Sequence, residues 1–293
     1  MTLTGALCYN PLCKKHKLTS NYVMMKKRET KVVYYSTYNE DFDGFSYEEK
    51  KIDGRYEYER RSGIGKLLSA FLYRVLATPF AFLYTRLVTK DRVIGGKGLP
   101  KRGCYFLYLN HTQPIADALS PGAIAFPKRA SVVISPKNLD MPILGKALPY
   151  LGGIPLPNDR SSLRGFREAI NSSAERSEAI AIYPEGHLWP FCTEIRPFNS
   201  ACFTYPVRLG APVYTATRVY KKRRRGYRCL IYIDGPFIAS ESLNANDARE
   251  ELCLLVRKTM KMRAALSDYC GVRYVKKDAQ ESEDRVPISE EQK

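Results

Sequence analysis

The chain has 293 residues, 44% of them hydrophobic, which is enough to bury one large core and excludes a wholly disordered protein. Forty-seven Lys and Arg against 30 Asp and Glu leave a formal charge of +17, so the partner expected is polyanionic: an anionic lipid surface, a nucleotide-bearing donor or a nucleic acid. The eight cysteines form no dense framework and read as small buried hydrophobes in a reducing compartment.

Residues 1 to 19 are polar and basic with no apolar core, so no secretory signal is expected and the protein is placed inside the cell. Cys8, Cys13 and His16 have loosely metal-like spacing but no fourth ligand, and no metal site is expected. The basic, Tyr-rich stretch 1 to 62 suits short edge strands or a solvated arm. Residues 63 to 90 change character. Leu67, Leu68, Phe71, Leu72, Val75 and Leu76 recur at helical spacing, Pro79 interrupts, and Phe80, Phe82, Leu83 and Leu87 continue. Nineteen residues between Lys66 and Arg86 hold one charge, Arg74. A kinked helical pair lying in a membrane interface, with Arg74 reaching to headgroups, fits better than a full span; a helix packed on the core is the alternative.

Residues 91 to 274 alternate. Apolar runs at 104 to 109, 130 to 134, 179 to 183, 212 to 219 and 229 to 233 read as buried strands, and 114 to 125, 141 to 150, 161 to 176, 197 to 206 and 244 to 266 as helices. The fold class expected is α/β: a mixed, largely parallel sheet surrounded by helices, carrying the membrane-associating helical segment on its N-terminal side. Residues 221 to 225, the densest basic run, fall between two strands as a solvated hairpin or a contact with anionic lipid. Residues 275 to 293 form a charged tail. No nucleic-acid-binding motif is present, and no nucleic-acid partner is expected.

Two clusters carry the chemistry. His111 follows the run 104 to 109 and precedes Pro114, which suits a strand-to-helix corner, and Asp117 falls in the first turn or so of that helix. A neutral imidazole oriented by a carboxylate can take a proton from an alcohol attacking a thioester, with no serine or cysteine nucleophile. A capping histidine beside an N-terminal helix carboxylate is the ordinary alternative. The second cluster is Tyr183-Pro184-Glu185-Gly186 after the strand at 179 to 183.

Asn110-His111 with a following Asp, a Gly153-Ile154-Pro155 segment leading to Arg160, Tyr-Pro-Glu-Gly, and Ala211-Pro212-Val213 occur in that order. The arrangement resembles the glycerolipid acyltransferase family of lysophosphatidate and glycerol-3-phosphate acyltransferases, from about residue 92 to 236. The resemblance implies an O-acyltransferase of phospholipid biosynthesis at the cytoplasmic membrane face. It would draw on acyl-CoA or acyl-carrier protein as co-substrate, with no further cofactor, and on a lysophospholipid or glycerol phosphate as acceptor. It also implies His111 as base, Asp117 as its orienting partner, and an acceptor site drawn from Asn110, Glu185 and Gly186, with Arg160 and Arg196 for the phosphate.

The chain departs from the family pattern twice. Five residues separate His111 from Asp117 where the family has four, which on a regular helix turns the carboxylate by about 100° unless a bulge or delayed helix start absorbs it. His187 stands where the family has threonine; it is a second ionisable site group or a histidine satisfied in its loop. A non-catalytic membrane- or nucleic-acid-binding protein that keeps the fold without a working dyad is the competing reading.

Overall fold

The computed structural model describes residues 30–42, 44, 47–58 and 63–277. Cys8, Cys13, His16 and most of the tail lie outside them.

Apolar runs too continuous to alternate become the middle of a sheet buried on both faces. β3 (Tyr105–Leu109), YFLYL, is at most 4% exposed along its length. It lies between β6 (Ala179–Ile182) and β7 (Val213–Lys222) in a seven-stranded sheet. On one side of that centre follow β4 (Ala130–Ile134) and β5 (Gly153–Pro155); on the other, β8 (Tyr227–Phe237) and β2 (Arg92–Ile94). Strands β3 to β7 run parallel, while β8 returns antiparallel to β7 and β2 runs with β8. Phe106, Tyr108 and Ile180 face one layer, with Phe166 and Ile170 of α5 (Leu163–Glu175) and Leu252, Val256 and Met260 of α7 (Ala245–Ala264). Tyr105, Leu107 and Leu109 face the other, where Ile124 and Ala125 of α3 (Ala116–Ala125) cover them. Two short helices, α4 (Leu144–Ala147) and α6 (Thr204–Leu209), complete the connections.

The apolar segment is one 24-residue helix, uninterrupted at Pro79. α1 (Ile64–Phe71) runs through a π-helical turn at Leu72–Ala77 into α2 (Thr78–Leu87). Pro79, in the first turn of α2, needs no N–H partner there. The wide turn instead lets the Thr78 N–H and its hydroxyl, at 2.7 Å, both reach the Tyr73 carbonyl. Sidedness is reversed relative to a soluble helix: Ser69, Tyr73, Thr78, Ala81 and Thr85 are buried, whereas Ile64 is 85% and Leu67 74% exposed and Phe71, Val75, Leu76, Phe80, Leu83 and Leu87 are all more than half exposed. The helix packs on α3 through that small and hydroxyl-bearing face, while its apolar face looks outward. Arg74 does not hang free for headgroups, since its guanidinium donates to the Pro127 carbonyl at 2.8 Å.

The described part of residues 30–58 is no solvated arm. β1 (Lys31–Tyr35) pairs in parallel with β9 (Val272–Lys276), so the tail begins later than residue 275. Ile52 is fully buried and its N–H donates to the Asn158 side chain at 2.8 Å. Phe42 N–H donates to the Leu188 carbonyl at 3.0 Å, and the Trp189 indole donates to the Glu40 carbonyl at 2.7 Å. Tyr35, Phe42 and Tyr274 pack around that indole, their ring centres 4.7, 5.3 and 4.6 Å away. Trp189 is the only tryptophan in the chain, so its fluorescence reports on the strap. Deleting residues 1–58 is expected to red-shift the emission and lower the unfolding midpoint; blue emission at an unchanged midpoint would show that the strap contributes nothing.

Candidate functional site

His111 follows the end of β3, and Glu185 stands three residues past the end of the neighbouring β6, so both sit at the carboxyl edge where open α/β sheets bind ligands. The extra residue before Asp117 is taken up ahead of the helix, because α3 begins only at Ala116 and residues 111–115 form a non-helical loop. One carboxylate oxygen of Asp117 accepts three N–H groups: Thr112 at 2.7 Å, Gln113 at 2.8 Å and the His111 ring Nδ1 at 2.9 Å. With Nδ1 donating to that carboxylate, Nε2 is the basic nitrogen of the neutral ring. The imidazole side chain is one-quarter exposed, and the Tyr183 ring lies 4.6 Å from it. Tyr183 also donates its hydroxyl to the Asp117 carbonyl.

Behind the dyad is a residue that sequence reading passed over. Arg218 of β7, 3% exposed, holds its Nε 3.6 Å from the second Asp117 oxygen. It donates through Nη1 to Asp91 at 2.6 Å and through Nη2 to the Ser120 hydroxyl at 2.7 Å. Burial disfavours its charge, but Asp91, the Cys229 thiol and Asp117 outweigh burial and hold its pKa well above the usual value. An arginine inside an alternating strand carries no distinctive signal, and only the fold places it beside Asp117.

Asn110 fills a different role from ligand binding. Its side chain clasps the Arg218 backbone, donating to the carbonyl at 3.1 Å and accepting from the N–H at 2.7 Å. Buried and doubly paired, it fixes the end of β3 against β7.

Glu185 is enclosed. Arg196 Nη2 donates to it at 2.6 Å, and the N–H groups of Arg196 and His111 approach at 3.3 and 3.4 Å. Burial raises its carboxyl pKa although Arg196 pulls the other way. Arg196 is only 2% exposed, stacks 4.8 Å over Trp189 and donates to the His187 carbonyl, so it braces the loop and is not open to a solvent-borne phosphate. Arg160, by contrast, is exposed on the turn after β5, at the sheet edge two strands from β6. Gly186 takes φ +77° with open space where a side chain would stand, so its backbone, not crowding, calls for glycine. His187 sits in the loop after Gly186, its Nδ1 3.2 Å from Asp41 of the segment 30–58 but outside hydrogen-bond geometry. Asp41 also pairs with Lys137 and accepts from Leu188 N–H at 2.9 Å. Burial opposes ionisation of Asp41, but these partners prevail and hold its pKa below the usual carboxylate value. Among the described residues no group of three acids, histidines or cysteines could hold a metal.

No family model matches the chain, and neither does any curated protein. Among solved structures, it is similar to the 1-acyl-sn-glycerophosphate (LPA) acyltransferase PlsC from Thermotoga maritima, at 17% identity and a TM-score of 0.44, over 72% of this chain and 100% of that one.

The enclosed Glu185–Arg196 pair sets a stability test. Arg196→Ala leaves an uncompensated buried acid and is expected to cost about 3–5 kcal/mol in urea unfolding, whereas Glu185→Met with Arg196→Leu costs much less. Equal losses in the single and double variants would refute the pairing argument.

Proposed function

We propose that this protein is an O-acyltransferase of the membrane surface, moving a fatty acyl group from a thioester, acyl-CoA or acyl-carrier protein, to the hydroxyl of a lysophospholipid or glycerol phosphate. The observation that carries the proposal is the 2.9 Å contact between His111 Nδ1 and Asp117, which leaves a basic Nε2 at a partly open sheet edge. In the reaction, Nε2 takes the proton of the acceptor hydroxyl as its oxygen attacks the thioester carbonyl. Asp117 keeps the ring in one tautomer and stabilises the imidazolium. The tetrahedral adduct collapses, the carbon–sulfur bond breaks, and the imidazolium returns its proton to the departing thiolate. Glu185, clamped by Arg196, fixes the loop that carries Gly186 opposite His111. Arg160 supplies the exposed guanidinium for the acceptor's phosphate.

The rival reading, a binder without a working dyad, drew its support from the extra residue before Asp117, and the late start of α3 removes that support. A helix with apolar residues outward and hydroxyls inward supports seating on a membrane; the cytoplasmic face is the side that the family resemblance implies.

His111→Ala should lower transfer from radiolabelled acyl donor to a lysolipid by about 100- to 10,000-fold without loss of fold. Asp117→Asn should fall in the same range. Wild-type turnover in the histidine variant would remove the proposed base.

Membrane seating has its own assay. Each outward Leu or Phe that enters lipid contributes roughly 1.5–3 kcal/mol. Serine at Leu67, Phe71, Leu76 and Leu83 should therefore abolish flotation with anionic liposomes; a variant that still floats would show that this face is not the anchor.

A further inference from the structure

Beside the dyad, but not part of it, α2 and β2 enclose a cavity of about 560 Å³. Its rim carries Arg86 at the last turn of α2, Lys90 in the turn that follows, and Arg92 at the start of β2, all exposed. None of the three has an acidic partner among the described residues. Lys90 holds a left-handed backbone, φ 54°, in a turn where glycine is the usual occupant. The acid of the same turn, Asp91, lines the cavity too; its Oδ1 accepts from Arg218 at 2.6 Å, while its Oδ2 is buried without a hydrogen-bond partner. Three cations therefore line the hollow against one acid, Asp91, that is itself paired with Arg218. The rest of the wall sets the hydroxyl residues Thr85 and Ser120 beside apolar Phe82 of α2 and Ala123 and Ile124 of α3; Leu83 and Leu87, neighbours of Phe82 and Arg86 along α2, are exposed.

We infer that this cavity is a binding site for a phosphate-bearing amphiphile, with the phosphate on Arg86, Lys90 and Arg92 and an acyl chain along Phe82, Ala123 and Ile124. Three basic side chains suit the charge of a phosphate monoester, close to −2, better than the single charge of a carboxylate. Phe82, Ala123 and Ile124 give an acyl chain an apolar strip beside α2, whose Leu83 and Leu87 are exposed. The site is distinct from the proposed acceptor site: Ser120 and Asp91 line it, Arg218 lies behind them, and Asp117 and His111 lie behind Arg218. Binding here needs no turnover, so the inference does not stand or fall with acyl transfer.

The test is calorimetric titration of the full chain with dihexanoyl phosphatidic acid below its micellar concentration. Dihexanoyl phosphatidylcholine and inorganic phosphate serve as comparisons. Phosphatidic acid should bind with saturation, and the other two about tenfold or more weaker. Arg86→Gln with Lys90→Gln and Arg92→Gln should weaken phosphatidic acid by about tenfold or more, as should Ala123→Trp, which fills the apolar side. Removing the same charge from the exposed hairpin, Lys222→Gln with Arg224→Gln and Arg225→Gln, should leave binding unchanged. Equal losses in the two triple variants would reduce the effect to net charge and overturn the site. Phosphate binding as tightly as phosphatidic acid would overturn the acyl path, and unchanged binding in the rim triple would overturn the proposal outright. The rim residues are exposed, so that variant should fold as the parent does.

Discussion

A carboxylate buried where four elements meet governs the rest of this structure. Asp117 is 2% exposed, and an unpaired charge there would cost several kcal/mol, so its neighbours are arranged to satisfy it. One oxygen collects the N–H groups of the loop after β3, the other faces Arg218 of β7, and its own carbonyl takes the Tyr183 hydroxyl from the end of β6. Arg218 in turn requires Asp91 from the turn after α2, and Asn110 to hold its strand. The imidazole is thus fixed by a network that also knits the sheet to α2 and α3.

A second buried pair does the same for the facing loop. Glu185 and Arg196 bind each other across the bend at Gly186, and Arg196 spreads its guanidinium over Trp189. Trp189 N–H and Phe191 N–H donate to the carbonyls of His111 and Thr112, at 3.2 and 2.9 Å, so the two loops are stitched backbone to backbone. The strap from residues 30–58 closes over the outside through Glu40, Asp41 and Phe42. The two loops are thereby held in one arrangement, with little left to order on binding.

The sequence made the centre of the sheet legible and its periphery not. Buried parallel strands such as residues 105 to 109 are continuous apolar runs, and they announce themselves. β2 and β5 have three residues each, too few to show a period, and β1 and β9 derive their pairing from one another across more than two hundred residues. The ordinal position of His111 and Asp117 was readable, but their distance depended on where α3 starts, which no propensity fixes to within a residue. Arg196 illustrates the opposite error. Its place after Tyr-Pro-Glu-Gly made it a candidate phosphate ligand, yet a guanidinium is just as well suited to neutralising a buried glutamate, and burial is a tertiary fact. The reversed face of residues 64 to 87 was legible as apolar periodicity; which side pointed inward was carried by Ser69, Thr78 and Thr85, whose hydroxyls bond backbone carbonyls and so tolerate burial.

That reversal also bears on how an acceptor would reach the dyad. α2 packs directly on α3, and α3 carries Asp117 in its first turn. Helices in contact lie about 8–10 Å axis to axis, so the dyad's helix is one layer removed from the outward apolar surface. On the function proposed above, a lysolipid held by its chain in a membrane would have its headgroup near the layer of α3 that carries Asp117. For glycerol phosphate, which has no chain to retain it, that geometry offers no advantage.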